Sequence, residues 1–180
     1  MTPSSIASVV VWTAYVQGQI EGKRVLDLGC GTGRLCAGVS ALGGYCVCVD
    51  VDLESLQVAR SAFRGMNLEA EFVEADSTSF HGRFDTVVQN PPFGVARKGT
   101  DLKFLRTALE VGKAVYSIHK SNPESRRIIM REAEDKGFKA EMIASFYPLT
   151  PYYPWHTERV HRFLVDIYAF RKPTGQDEVK

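Results

Sequence analysis

The chain has 180 residues, 22 Lys and Arg against 21 Asp and Glu, 44% hydrophobic and 24% charged residues. Such values fit a single domain over residues 1–180 and exclude disordered, collagen-like and coiled-coil sequences. No apolar run approaches the ~20 residues of a membrane span. Met1-Thr2-Pro3-Ser4 has no basic region ahead of an apolar core, so a cytoplasmic protein without a secretory signal is expected.

The net charge of +1 is an average of two unlike halves. Residues 1–90 carry −4 and residues 91–180 carry +5. A basic half can meet an anionic partner even when the total is neutral.

The first predicted element is a helix within residues 1–22. Ile6, Val9, Val10, Thr13, Val16 and Ile20 share one face, Ser4 or Ser5 caps it and Gly22 ends it. A short strand, Lys23 to Leu28, runs into a glycine loop, and a helix follows from Arg34 to Leu42. Tyr45 to Val49 reads as a strand ending at Asp50. Asp52 caps the next helix, whose inward face is Leu53, Leu56, Ala59 and Phe63.

Glu69 to Val73 alternates as a half-exposed strand does, and Phe84 to Gln89 is of buried type. A helix opens at Asp101 and closes at Gly112, before a strand from Val115 to Ile118. Asn122-Pro123 caps and starts a helix running to Gly137. Two strands end the chain, Ala140 to Tyr147 and Arg162 to Phe170, ahead of a polar, flexible tail at 172–180. The alternation predicts an α/β fold: a mostly parallel sheet, helices on both faces, and an antiparallel last strand.

Cys30, Cys36, Cys46 and Cys48 form no C-x-x-C pair, and reduced thiols are expected. His81, His119, His156 and His161 show no zinc-ligand spacing, and no metal is expected.

Asp27-Leu28-Gly29-Cys30-Gly31-Thr32-Gly33 lies between the first strand and its helix. Glycines there let backbone N–H groups approach a ligand. Asp50, at the next strand end, stands where an acid binds ribose hydroxyls. The spacing is G-x-G-x-G, whereas dinucleotide loops read G-x-G-x-x-G. An acid at Asp27 suits a cationic ligand, as S-adenosylmethionine is. Asp76, after the third strand, either meets an adenine amino group or caps a turn.

Asn90-Pro91-Pro92-Phe93 falls at the carboxyl end of the fourth strand, where such sheets bind ligands. Two prolines remove two N–H donors, so the site is rich in acceptors. The Asn90 side-chain oxygen and the Pro91 carbonyl can take both hydrogens of a planar exocyclic amine, making its nitrogen nucleophilic and stabilising the charge it gains. Phe93 can stack on the ring.

The chain resembles the small ribosomal-RNA adenine-N6 methyltransferases of archaea and eukaryotes. The resemblance rests on Asn90 to Gly94, Lys98-Gly99-Thr100-Asp101 and Tyr116-Ser117-Ile118-His119-Lys120. It implies a seven-stranded Rossmann-like class I methyltransferase fold, S-adenosylmethionine as donor, and an adenine of small-subunit ribosomal RNA as acceptor. It implies cofactor contacts at Thr2, Gly29, Thr32, Arg34, Asp50, Asp76, Ser77 and Asn90, to which the loop adds Asp27, Gly31 and Gly33. Family members carry Gln-Tyr before the threonine matching Thr2, where this chain has Met1. The departure implies an upstream start or a weaker hold on cofactor. The resemblance also implies a small zinc-binding activator protein, pairing with the edge strand near Glu69 to Val73.

Lys98, Lys103 and Arg106 flank the motif, Arg126, Arg127 and Arg131 lie on the next helix, and Tyr147, Tyr152, Tyr153 and Trp155 interleave with basic residues further on. Lys98, Lys120, Arg159 and Arg162 are expected RNA contacts. His119 is expected to be structural or to face RNA. Two rival readings keep the same site: a glutamine methyltransferase of a protein substrate, and a non-catalytic cofactor-binding RNA scaffold.

Overall fold

A computed structural model describes residues 2–92, 99–146 and 164–173. Its strands are β1 (Arg24–Leu28), β2 (Tyr45–Asp50), β3 (Glu71–Glu74), β4 (Phe84–Gln89), β5 (Gly112–Lys120), β6 (Lys139–Phe146) and β7 (Val165–Arg171). Its helices are α1 (Ser4–Val16), α2 (Arg34–Ala41), α3 (Leu53–Met66), α4 (Thr100–Val111) and α5 (Pro123–Asp135).

The strands form one seven-stranded sheet in the order β3-β2-β1-β4-β5-β7-β6. All pairings among β1 to β5 are parallel, whereas β7 is antiparallel to both β5 and β6. The order reverses between β1 and β4, which opens the crevice where such sheets take ligands.

Alternation along the strands feeds two apolar layers. Val25, Cys46, Cys48, Tyr116 and Ile118 pack with Ile6, Val10, Leu35, Val39, Leu56 and Phe63, so α1, α2 and α3 cover that face. Leu26, Leu28, Val47, Val49 and Val115 pack with Phe104, Leu105, Ala108 and Ile129, so α4 and α5 cover the other.

Some local expectations need correction. α1 stops at Val16, without a side-chain cap at its start. Its buried face is Ile6, Ala7, Val10, Val11 and Ala14, and Val16 is exposed. Ile20 is buried from the turn beyond the helix. Leu53 is exposed, so α3 packs through Leu56, Ala59 and Phe63. The β3 edge begins at Glu71, not Glu69. Cys36 and Cys46 are joined in a disulfide, contrary to the expectation of reduced thiols, because α2 lies against β2 and brings the two side chains together.

Candidate active site

The carboxyl ends of β1, β2, β3 and β4 meet along one edge of the sheet. The parallel register sets Asp27 opposite both Cys48 and Val88, and Asp50 opposite Glu74. Asp27, the glycine loop, Asp50, Asp76 and Asn90 therefore share that edge.

Leaving β1, the loop folds back on β2, and the N–H groups of Gly29 and Cys30 both donate to the Val49 carbonyl, at 2.8 and 3.0 Å. Gly29 has φ +73°, and a Cβ there would lie 2.6 Å from the Phe104 ring. Only glycine combines that backbone with that approach. Gly33, at φ +78°, starts α2 without a side-chain cap. Asp27 supplies one from the neighbouring strand, its Oδ2 accepting the Cys36 N–H at 3.0 Å. This satisfies a donor in the first turn of α2.

The acids differ in state. Asp27 is buried and its Oδ1 has no partner among the described residues. Burial pushes its pKa up to about 7, and the nearby Asp50 charge adds to this, against the lowering effect of the Cys36 N–H. Asp50 is engaged on both oxygens: Oδ2 accepts the Gly31 N–H at 2.7 Å and Oδ1 the Asp52 N–H at 2.9 Å. It thus clamps the apex of the loop that precedes it in sequence. Asp76 accepts both the N–H and the hydroxyl of Thr78 at 2.8 Å, which hold its carboxyl below the usual range. The turn-capping arrangement expected as one alternative for Asp76 is therefore present. Ser77, beside it, is buried.

Thr2 reaches this edge from the start of the chain. Its Oγ1 accepts from Asn90 Nδ2 at 2.9 Å, and its carbonyl accepts from Arg34 at 3.1 Å. Asn90 Oδ1 is buried and has no partner among the described residues. Pro91 is buried and Pro92 exposed. Thr32 and Gly31 complete the loop between Thr2's partner Arg34 and β1.

Phe93, Lys98, Arg159 and Arg162, together with Tyr147, Tyr152, Tyr153 and Trp155, lie outside the described residues. Lys120 is exposed at the end of β5. His119 is fully buried, which removes the RNA-facing alternative. Arg106 is ion-paired with Glu132 and Arg126 with Asp166 (2.8 Å). These two are bound to the protein itself more than presented to a ligand.

Residues 10–115 match the methyltransferase small domain family. The rRNA N6-adenosine-methyltransferase of Danio rerio is 35% identical over 94% of this chain and 86% of its own. The chain belongs to this methyltransferase family. A candidate RNA methyltransferase from Pyrococcus horikoshii, solved by crystallography, aligns with this methyltransferase at a TM-score of 0.87 and 38% identity, covering 96% of this chain and 87% of that one. Magnesium protoporphyrin IX methyltransferase from Synechocystis, solved with bound S-adenosylmethionine, shares the fold at a TM-score of 0.74 and 16% identity, over 94% and 79% of the two chains. The fold of this methyltransferase is Rossmann-like class I, as expected.

Sequence reasoning missed two features of the methyltransferase site. One is the Asp50 clamp on Gly31. The other is a buried polar set, Gln89, Ser117 and His119, under the motif. The latter had a visible signal, since polar residues two apart in an apolar strand share one face.

Proposed function

We propose that this methyltransferase moves a methyl group from S-adenosylmethionine to the exocyclic N6 of an adenine in small-subunit ribosomal RNA. The observation that carries this is Asn90, tied to Thr2 through Nδ2 and left with a buried Oδ1 that has no partner among the described residues, at the carboxyl end of β4. A free acceptor held by a partner on its donor side is what an amine with two hydrogens requires. The substrate class follows the relatives named for rRNA N6-adenosine methylation.

The residues present fit the cofactor. Asp27 Oδ1 is an acid oxygen without a partner among the described residues, suited to a cation. Among the described residues nothing lies within 4 Å of where a Cβ on Gly31 would be. Bound S-adenosylmethionine supplies an electrophilic methyl group on a sulfonium. Thr2, Asp27, Gly29, Gly31, Thr32, Gly33, Arg34, Asp50, Asp76, Ser77 and Asn90 are the residues proposed to hold it. Asn90 Oδ1 takes one amine hydrogen, the Pro91 carbonyl the other, and Phe93 stacks on the ring. The two acceptors stabilise positive charge on nitrogen as its bond to the methyl carbon forms and the carbon–sulfur bond breaks. One amine proton then leaves to water, so no side-chain base is required.

Lys120, with Lys98, Arg159 and Arg162, is assigned to the RNA backbone. The β3 strand lies at one edge of the sheet, which supports strand addition there by an activator subunit. Among the described residues no helix is long and apolar enough to cross a membrane. Incubation of the protein with labelled cofactor and unmodified small-subunit RNA, with nucleoside analysis of the product, tests the reading. Label in N6-methyladenosine supports it, and label in protein glutamine or in no product contradicts it.

A further inference from the structure

We infer that His119 is a positioning residue that fastens the two stems of the catalytic segment to one another through a buried relay. The inference rests on the proposed adenine methylation.

Gln89 ends β4 and directly precedes Asn90; Ser117 stands opposite it in the parallel register of β5. Gln89 Nε2 lies 2.9 Å from Ser117 Oγ, and Ser117 Oγ lies 2.8 Å from His119 Nε2. On the other side of the ring, His119 Nδ1 lies 3.6 Å from Asp101 Oδ2. Asp101 belongs to the first turn of α4, just beyond the motif segment. One chain of side chains therefore joins the residue before Asn90 to the helix start after that segment.

Hydrogen-bond logic sets the direction of this chain. Gln89 Nε2 can only donate, so Ser117 Oγ accepts and turns its own hydrogen to His119. His119 Nε2 is then the acceptor of the Ser117 hydroxyl, and Nδ1 is the ring nitrogen that faces the Asp101 carboxylate. The contact with His119 holds the Asp101 carboxyl below its ordinary range. Tyr168 meets the ring edge-on, with centroids 6.0 Å apart, and restricts its rotation.

Gln89, Ser117 and His119 are fully buried. His119 therefore acts through Gln89 and Asp101 and does not touch substrate. Apolar residues would fill these positions at a smaller desolvation cost. What the polar set adds is a fixed position of the end of β4 relative to the start of α4. The outer link, at 3.6 Å, is longer than a hydrogen bond and is the softest part of the relay.

Asp101→Ala and His119→Gln in the full chain test this, with methylation of small-subunit RNA measured at saturating S-adenosylmethionine. Asp101 is a quarter exposed in its side chain, so its replacement leaves the core intact. Gln at 119 keeps an acceptor for Ser117 and loses the donor to Asp101, whereas His119→Asn keeps that donor. Both losses are expected to lower kcat about tenfold or more through misplacement of the reacting groups, with cofactor Kd unchanged in both and Tm unchanged in Asp101→Ala. His119→Asn is expected to recover part of the rate lost in His119→Gln. Wild-type kcat in Asp101→Ala and His119→Gln would overturn the inference, as would a fall that merely follows Tm. A wild-type protein that leaves adenine unmodified would instead overturn the functional reading, and this inference with it.

Discussion

Asn90 donates from Nδ2 to the hydroxyl of Thr2 at 2.9 Å, across 88 residues of sequence. That bond sets which end of the amide faces the site: the nitrogen is occupied and Oδ1 is left to accept. Thr2→Val keeps the branched shape and removes the acceptor. Freed of it, the amide can rotate and present its NH₂ where an acceptor is required. We expect kcat to fall about tenfold at saturating cofactor, the scale of one misdirected hydrogen bond in a reaction site. Unchanged kcat would remove the orienting role of Thr2.

Asp27 predicts a pH dependence. Its pKa is raised from 3.8 to about 7 by burial. Protonation is then easier in the folded protein than in the unfolded chain. The group's contribution to stability is therefore greatest below 3.8 and is lost as pH rises towards about 7. Binding a cationic cofactor favours the ionised form, so its affinity should rise over that same window and level off above about 7. Calorimetric titration across pH 5 to 8 measures this. Asp27→Asn should flatten the curve; an identical pH profile in that variant would exclude Asp27 as the group responsible.

Gly29→Ala places a methyl group 2.6 Å from the Phe104 ring on a backbone with φ +73°. We expect a loss of about 2–4 kcal/mol, from the left-handed backbone and the overpacking together. Denaturant unfolding reads it directly. A midpoint equal to wild type would mean that loop and α4 are not packed as described.

Cys36 and Cys46 are bonded, whereas Cys30 and Cys48 are free. Thiol titration of the unfolded protein should give two reactive groups before reduction and four after. The bridge spans 10 residues, and its reduction should cost about 2–3 kcal/mol. Four thiols without reductant, or a Tm indifferent to reductant, would contradict the pairing.

The features legible in the sequence are those whose cause is local. Asp52 beside α3 and Asn122-Pro123 before α5 sit next to the N–H groups they cap, at Glu54 and Ser125. β4 matches its expected bounds because Phe84, Val87 and Val88 form a short β-prone stretch that the prolines after Asn90 bring to an end. The place of Asn90 at the carboxyl end of β4 was legible because the two prolines after it cannot continue a strand's hydrogen bonding. The Asp50 bond to Gly31 was not, since it depends on how the glycine loop folds back over the end of β2, which spacing does not encode. The end of α1 was missed because Ile20 keeps the helical period while being buried from a turn. The Cys36–Cys46 pairing depends on how α2 lies on β2, which spacing does not encode.

Methyl transfer by Asn90→Ala is the most direct test of the central claim. The variant keeps the strand, the prolines and the glycine loop, and loses only the acceptor on the amine. With small-subunit RNA and labelled cofactor, the wild-type protein should place label on adenine N6. Asn90→Ala should reduce that transfer by about 10²-fold or more while binding S-adenosylmethionine within a few-fold of wild type. Transfer at the wild-type rate by Asn90→Ala would contradict the account.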